Sequence, residues 1–191
     1  MGFQIESGGG NSDRAEVSVE GRLRTESVRL TPQFYASIKY GNAFQVNSGV
    51  QTVSSAGAYG LLALRNDGND FLAITYIRIG VNKTEANETQ AEILLGGTWS
   101  DGSAANLYNM DQKNSDVPAV TYHYNTLMSG ANSIDVQWGT GPAEMVYNKE
   151  GSIILKPNAI ISLKVTTGTD SVKVHGRISF YVISRSIARE I

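Results

Sequence analysis

The sequence of 191 residues contains no cysteine, which excludes disulfide bonds, thiolate nucleophiles and cysteine-ligated zinc. Charged residues make up only 18% of the chain, below the roughly 25% of an average soluble domain. The formal net charge of −2 provides no field that would attract nucleic acid or an anionic membrane surface. No stretch approaches the roughly 18 consecutive apolar residues of a membrane-spanning helix. We therefore expect neither a nucleic-acid partner nor a membrane partner.

Glycine and small polar residues are abundant instead. The 20 glycines are interspersed with asparagine, serine and threonine, a mixture that suits many turns between short strands. Near the end of the chain, every even-numbered residue from Val172 to Val182 is apolar except Gly176. A period of two over this length predicts a long strand with one buried and one exposed face.

Comparable segments recur from residue 41 onward, at intervals of about ten residues. Residues 44–53 predict a hairpin, because Asn47, Ser48 and Gly49 at its centre include residues that tolerate positive φ. Residues 66–70 consist almost entirely of turn formers and predict a second hairpin turn. Eight to ten such strands with few helical signals indicate an all-β protein, an antiparallel jelly-roll-like β-sandwich over residues 41–191.

Residues 1–40 differ from this pattern and are predicted to form a flexible N-terminal segment and an extended arm. The first twelve residues are rich in glycine and serine, and basic and acidic side chains then balance. An arm that binds nucleic acid would carry one sign of charge, so we expect this one to pack on protein. Residues 31–38 predict a short helical turn, with Thr31 as its cap.

Two regions are candidates for an interface. The strand predicted over residues 71–81 is apolar at both odd and even positions, which indicates a central strand or a face covered by another subunit. The turn-rich residues 96–118 form the longest loop, and such loops often carry function. The interface residues expected from these two regions are Leu72, Ile74, Tyr76, Trp99 and Tyr108. By contrast, Trp138 and the alternating tyrosines of the following strands are interpreted as core.

No catalytic or metal-binding constellation emerges from the residue spacing. His123 and His175 are interpreted as polar residues on the exposed faces of their strands. Ser171 and His175 would lie about 13 Å apart along one strand, which is beyond hydrogen-bond reach. Ordinary turn chemistry accounts for Asp101, Asp111, Asp116 and the residues 66–70, whose spacing is too short for a dedicated calcium loop. We therefore predict a protein that is not an enzyme, with no cofactor and no bound metal.

Three segments carry a resemblance to a known family. They are residues 44–53, residues 61–80, and residues 152–168 with their Leu-Lys-Pro-Asn corner. Together they resemble the small virion proteins that decorate, or form fibres on, the heads of tailed phages. The resemblance implies a structural protein of the virion that binds the major capsid protein as a homotrimer. It would lie on the capsid surface and be assembled in the host cytoplasm.

Two other functions remain open at this point. A receptor-binding or carbohydrate-binding head of a phage tail fibre would place Trp99, Tyr108 and the polar groups between Asp101 and Asp116 in one exposed groove. An enzyme on the same fold, such as a glycan lyase or hydrolase, would need clustered carboxylates, or histidine beside arginine and lysine.

Overall fold

The computed structural model describes residues 42–53, 57–82, 88–99, 102–111, 117–140, 143–168 and 172–185. These residues form strands and contain no helix. The strands are β1 (Ala43–Val53), β2 (Gly57–Asn66), β3 (Phe71–Asn82), β4 (Glu88–Leu95), β5 (Ser103–Ala104), β6 (Asn106–Asn109), β7 (Val120–Tyr124), β8 (Asn132–Thr140), β9 (Ala143–Leu155), β10 (Ile160–Thr167) and β11 (Val172–Ile183). The predicted arm and the helical turn at residues 31–38 lie outside the described residues.

The strands form two antiparallel sheets. One has five strands in the order β6-β1-β11-β3-β9, and the other has six in the order β5-β7-β2-β10-β4-β8. From β1 to β4 and again from β8 to β11, each successive strand lies in the sheet opposite to the one before it. This strand order is that of a jelly roll, so the predicted fold class is confirmed. The connection between β4 and β8 contributes β5, β6 and β7, which extend both sheets beyond β1 and β2.

The core lies between the sheets and is built from alternate residues of each strand. In β11 the residues Val172, Val174, Ile178 and Phe180 are buried, as the alternation in the sequence predicts. The Phe180 ring packs 5.7 Å from the ring of Phe44, centroid to centroid. A Cβ atom at Gly176 would lie 2.9 Å from the side chain of Leu61. The one gap in the apolar alternation is therefore filled by a residue of the opposite sheet.

The hairpin predicted over residues 44–53 is wrong, because these residues form the single strand β1. Its pairing with β11 shifts register between Asn47 and Val50. Gly49 has a φ of 66°, and its N–H donates to the Asn47 side-chain oxygen over 2.8 Å. Ser48 turns inward and accepts a hydrogen bond of 2.9 Å from the N–H of Gly176. The residues that tolerate positive φ thus form a bulge rather than a turn.

A second bulge explains why β3 looks apolar on both faces. The registers of β3 with β9 and with β11 both shift at Thr75, whose hydroxyl donates to the Ser179 carbonyl over 3.1 Å. The inward phase therefore changes at this residue, from even-numbered positions before it to odd-numbered positions after it. The inward side chains are Leu72, Ile74, Ile77, Ile79 and Val81. The predicted central position is confirmed, because β3 lies between β11 and β9.

The turn at residues 66–70 connects the two sheets, so its interpretation as a hairpin turn is wrong. It follows β2 in the six-stranded sheet and precedes β3 in the five-stranded sheet. Asn66 is buried, and its side-chain amide donates to the carbonyls of Asp70 and Leu155 over 2.7 and 3.0 Å. A polar side chain that satisfies two carbonyls holds this corner closed.

Candidate interaction surfaces

Two of the five residues expected at an interface lie inside the protein. Leu72 is 2% exposed and Ile74 is 0% exposed, and both belong to the core between the sheets. Alternation alone assigns them to an outer face that another subunit covers. The bulge at Thr75 reverses the inward and outward positions of β3, and the sequence pattern does not reveal this reversal. Tyr76, on the other side of that bulge, keeps partial exposure on the outer face. An interface role for Tyr76 stays a prediction.

Trp99 and Tyr108 lie on opposite faces of the sandwich. Tyr108 pairs with Gln45, which points outward from the five-stranded sheet, and Tyr108 is 52% exposed. The Trp99 ring lies 5.6 Å from the ring of His123, which points outward from the six-stranded sheet. Two packed sheets, with a spacing of about 10 Å, therefore separate the aromatic residues. They cannot line the single groove that the carbohydrate-binding alternative requires.

The outer face of the six-stranded sheet is partly covered by the chain itself. Thr98 and Ser129 form a bridge between the two loops that cross this face. The backbone of Thr126 packs directly on Gly60, where a Cβ atom would overlap the Thr126 carbonyl. The N–H of Thr126 also donates to the Gly60 carbonyl over 3.2 Å. A glycine is required at position 60 because another backbone lies against it.

Arg65 anchors the same covered region. Its ε nitrogen lies 2.5 Å from a carboxylate oxygen of Asp67, and its terminal nitrogen donates to the Thr121 hydroxyl over 3.3 Å. Thr121 in turn donates to the second oxygen of Asp67. The guanidinium carbon lies 5.3 Å from the Trp99 ring centroid, a cation–π distance. Trp99 is therefore held by contacts within its own chain.

At the edge of this sheet, β8 presents an apolar stripe, formed by Ile134, Val136 and Trp138. All three are exposed, and Trp138 is 64% exposed, so its interpretation as core is wrong. The polar residues between them point inward instead. Asp135, for example, forms an ion pair of 2.7 Å with Lys149 of β9 at the edge of the sandwich. The alternation is visible in the sequence, but the apolar phase faces outward. The core interpretation holds for Tyr147, which is buried, whereas Tyr122 and Tyr124 are partly buried against the core.

The outer face of the five-stranded sheet carries a cluster of basic side chains. This cationic face consists of Arg78 on β3 and of Lys173, His175 and Arg177 on β11. Arg177 pairs directly with Arg78, and His175 pairs with Gly80. Glu144 on β9 is next to Gly80 and forms an ion pair with Arg78.

Burial and the basic charges of the cationic face lower the pKa of His175. Burial lowers the pKa of the imidazole below 6.5, and the nearby charges of Arg78 and Arg177 lower it further, while Glu144 opposes them. The ring stands over Gly80, where a Cβ atom would overlap it. The face therefore favours a neutral histidine between charged arginines.

The described residues do not bring the two histidines or a cluster of carboxylates together at a metal site. His123 and His175 point outward from different sheets, so they cannot share a metal ion. No group of three or more His, Asp or Glu residues in the described ranges could hold a metal. Of the candidate aspartates, Asp111 is described, whereas Asp101 and Asp116 lie outside the described residues, as does Ser171.

Within the described ranges there is also no helix of the length and hydropathy needed to cross a membrane.

A cleft of about 470 Å³ opens beside the corner at residues 66–70. Its carboxylates are already engaged: Asp67 binds Arg65 and Thr121, and Asp70 accepts the backbone N–H of Arg185 over 3.1 Å. Asparagine side chains and apolar side chains such as Phe44 and Val117 share the rest of the lining. These contacts support the interpretation of residues 66–70 as a structural corner rather than a calcium loop.

Comparisons with known proteins give little beyond this geometry. No protein-family model matches the chain, and no curated protein matches it either. Among solved structures, one of Triatoma virus is similar over 68% of this chain, with 12% identity and a TM-score of 0.24. One of infectious bursal disease virus, Gt strain, is similar over 78% of this chain, with 14% identity and a TM-score of 0.22. The chain spans 62% and 42% of the length of those two chains. Such low similarity carries no argument, so the fold assignment rests on the strand order.

Proposed function

We propose that this chain is a structural protein of a virion, a capsid decoration protein that binds the major capsid protein and stabilises the head. It acts as a homo-oligomer, with a trimer as the expected state, and not as an enzyme. The observation that carries the proposal is the apolar stripe on β8. A stable fold that leaves Trp138 and two aliphatic side chains in solvent has a surface suited to assembly.

The surroundings of the apolar stripe favour a second copy of this chain as its occupant. β8 is the last strand of its sheet, so no described strand pairs with its outer edge. Such an edge is a template for pairing with another strand. The neighbouring charges are balanced, because Glu92 pairs with Lys164 and Asp135 pairs with Lys149. A neutral apolar edge carries no charge that would repel a different surface of a neighbouring copy, which is the head-to-tail contact that a trimer needs.

The oligomer is tested first, by light scattering of the purified chain and of two serine variants. We expect a mass three times the 20.6 kDa of one chain. Trp138→Ser should weaken association by about 30-fold, the effect of losing a central aromatic anchor. Val117→Ser is the matched control, because Val117 is also exposed but lies away from β8. A strict monomer, or equal effects of the two variants, would exclude the apolar stripe as the contact.

Capsid binding is tested by sedimenting the chain with particles assembled from the major capsid protein of the same virus. We expect saturable binding, and capsids that resist heat better when the chain is bound. Failure to bind such particles would exclude the capsid role, and binding to a glycan array would then indicate carbohydrate binding at a surface other than a groove shared by Trp99 and Tyr108.

A further inference from the structure

The charge of the cationic face is opposite in sign to that of the whole chain. Its strands carry Arg78, Lys173, His175 and Arg177, and Glu144 of β9 forms an ion pair with Arg78. The complete chain has a net charge of −2. Basic groups are therefore concentrated on one face of a slightly acidic protein, and they give that face a local positive field.

Arg78 and Arg177 stand directly opposite each other on neighbouring strands. Directly opposed side chains in antiparallel strands have Cβ atoms about 5 Å apart, and like charges in this position are destabilising. Arg78 is compensated by Glu144, but Arg177 forms no ion pair with any described residue. The ε nitrogen of Arg177 is also buried, without a hydrogen-bond acceptor in the described ranges. The fold thus keeps a repulsive arginine pair whose second member has no anionic partner there.

A carboxylate from outside would supply what Arg177 lacks. A guanidinium presents its N–H groups in a planar fork that matches the two oxygens of a carboxylate, and such charge-assisted hydrogen bonds are stronger than neutral ones. We propose that the cationic face binds an acidic segment of a partner protein, with a carboxylate seated between Arg78 and Arg177. This proposal goes beyond the virion assignment and does not depend on it.

The side chains around the arginine pair favour a protein over a nucleic acid. Tyr76, Tyr108 and Tyr181 share the outer face with it, as do the aliphatic side chains of Val146, which pairs with Arg78, and of Ile154. Tyrosine and arginine are enriched in protein interfaces and in their energetically dominant positions. A nucleic acid would require more phosphate contacts than a few basic groups can make.

The test measures binding of fluorescent poly-L-glutamate to the full chain by anisotropy, at about 0.15 M salt. Arg177→Gln should weaken binding about tenfold or more, because it removes a charge-assisted pair. It should not lower the melting temperature, since it also removes the repulsion from Arg78. Lys156→Gln is the matched control: it makes the same change of charge at an exposed position after β9, away from the cationic face.

Several outcomes would overturn the proposal. Equal weakening by Arg177→Gln and Lys156→Gln would mean that only net charge matters. Loss of stability in Arg177→Gln with unchanged binding would make Arg177 a structural residue. An absence of binding by the unaltered chain, or tighter binding of a single-stranded oligonucleotide of equal charge, would exclude an acidic protein segment. Selective weakening by Arg177→Gln at unchanged stability supports it.

Discussion

Two arginines on the two outer faces of the sandwich have contrasting surroundings. Arg65, on the six-stranded sheet, binds Asp67 and Thr121 and stacks on Trp99. Arg177, on the five-stranded sheet, faces another arginine and forms no ion pair with any described residue. Around Arg65 the surface is covered by the chain's own loops, whereas the surface around Arg177 is left available. A contact with another molecule is therefore expected at Arg177, and substitutions in the covered region around Arg65 should act on folding.

The largest effect is expected at Gly60, beneath the loop that covers the first face. A Cβ atom there would overlap the backbone carbonyl of Thr126, which cannot move aside as a flexible side chain could. Gly60→Ala should lower the free energy of unfolding by about 3 kcal/mol, measured by denaturant titration.

Gly168→Ala, just after β10, is the control for this change. A Cβ atom at Gly168 would meet open space, and its φ is not in the left-handed region. The effect of this substitution should stay within about 0.5 kcal/mol. If Gly60→Ala is equally mild, the loop does not pack on the sheet, and the distinction between a covered and an available face is lost.

An intermediate effect on stability is expected at Trp99, and Tyr108 serves as its comparison. Trp99→Ala removes the ring that contacts Arg65 and His123, and should lower the free energy of unfolding by about 2 kcal/mol. Tyr108→Ala removes a ring that is half exposed, and should change it by less than about 0.5 kcal/mol. Thermal unfolding of both variants measures the difference. Equal losses would show that Tyr108 is as firmly packed as Trp99.

The fold class can be predicted because alternation and turn residues are local properties of the sequence. The strand from Val172 to Val182 is the clearest case, since its buried positions follow the period of two from Val172 to Ile178. Bulges defeat this reasoning, because one extra residue reverses the phase and depends on partner strands that the sequence does not identify. For that reason periodicity alone puts Gly49 in a turn, and Leu72 and Ile74 on a surface.

The candidate surfaces are harder to predict than the fold. The alternation of its strand suggests a core position for Trp138, but the inward phase belongs to Asp135, which pairs with Lys149 of the other sheet. The alternation from Val172 to Val182 predicts the exposed position of His175, but it does not predict the arginine pair, because Arg78 and Arg177 are distant in the sequence and meet only through the register of β3 and β11. Cross-strand partners are set by topology, which periodicity does not contain.

The smallest expected effect is the pH dependence of stability caused by His175. Burial lowers its pKa below 6.5, and Arg78 and Arg177 lower it further, against the attraction of Glu144; Lys173 is the other charged residue on the same face of β11. Between a pH of about 6.5 and the lower pKa of the folded chain, the unfolded chain binds a proton that the folded chain does not, so stability falls as the pH is lowered through this window. His175→Gln should make this fall shallower, as measured by denaturant titration at several pH values.

The same titration of Arg177→Gln connects the histidine to the comparison of the two faces. Removing one of the two neighbouring cations should bring the pKa of His175 closer to its ordinary value, so the fall in stability at low pH should again become shallower. Lys156→Gln, which changes the net charge equally, should leave the slope as it is. Identical slopes for all the variants would mean that His175 does not sense the arginine pair, and that the available face lacks the local field on which its proposed role depends.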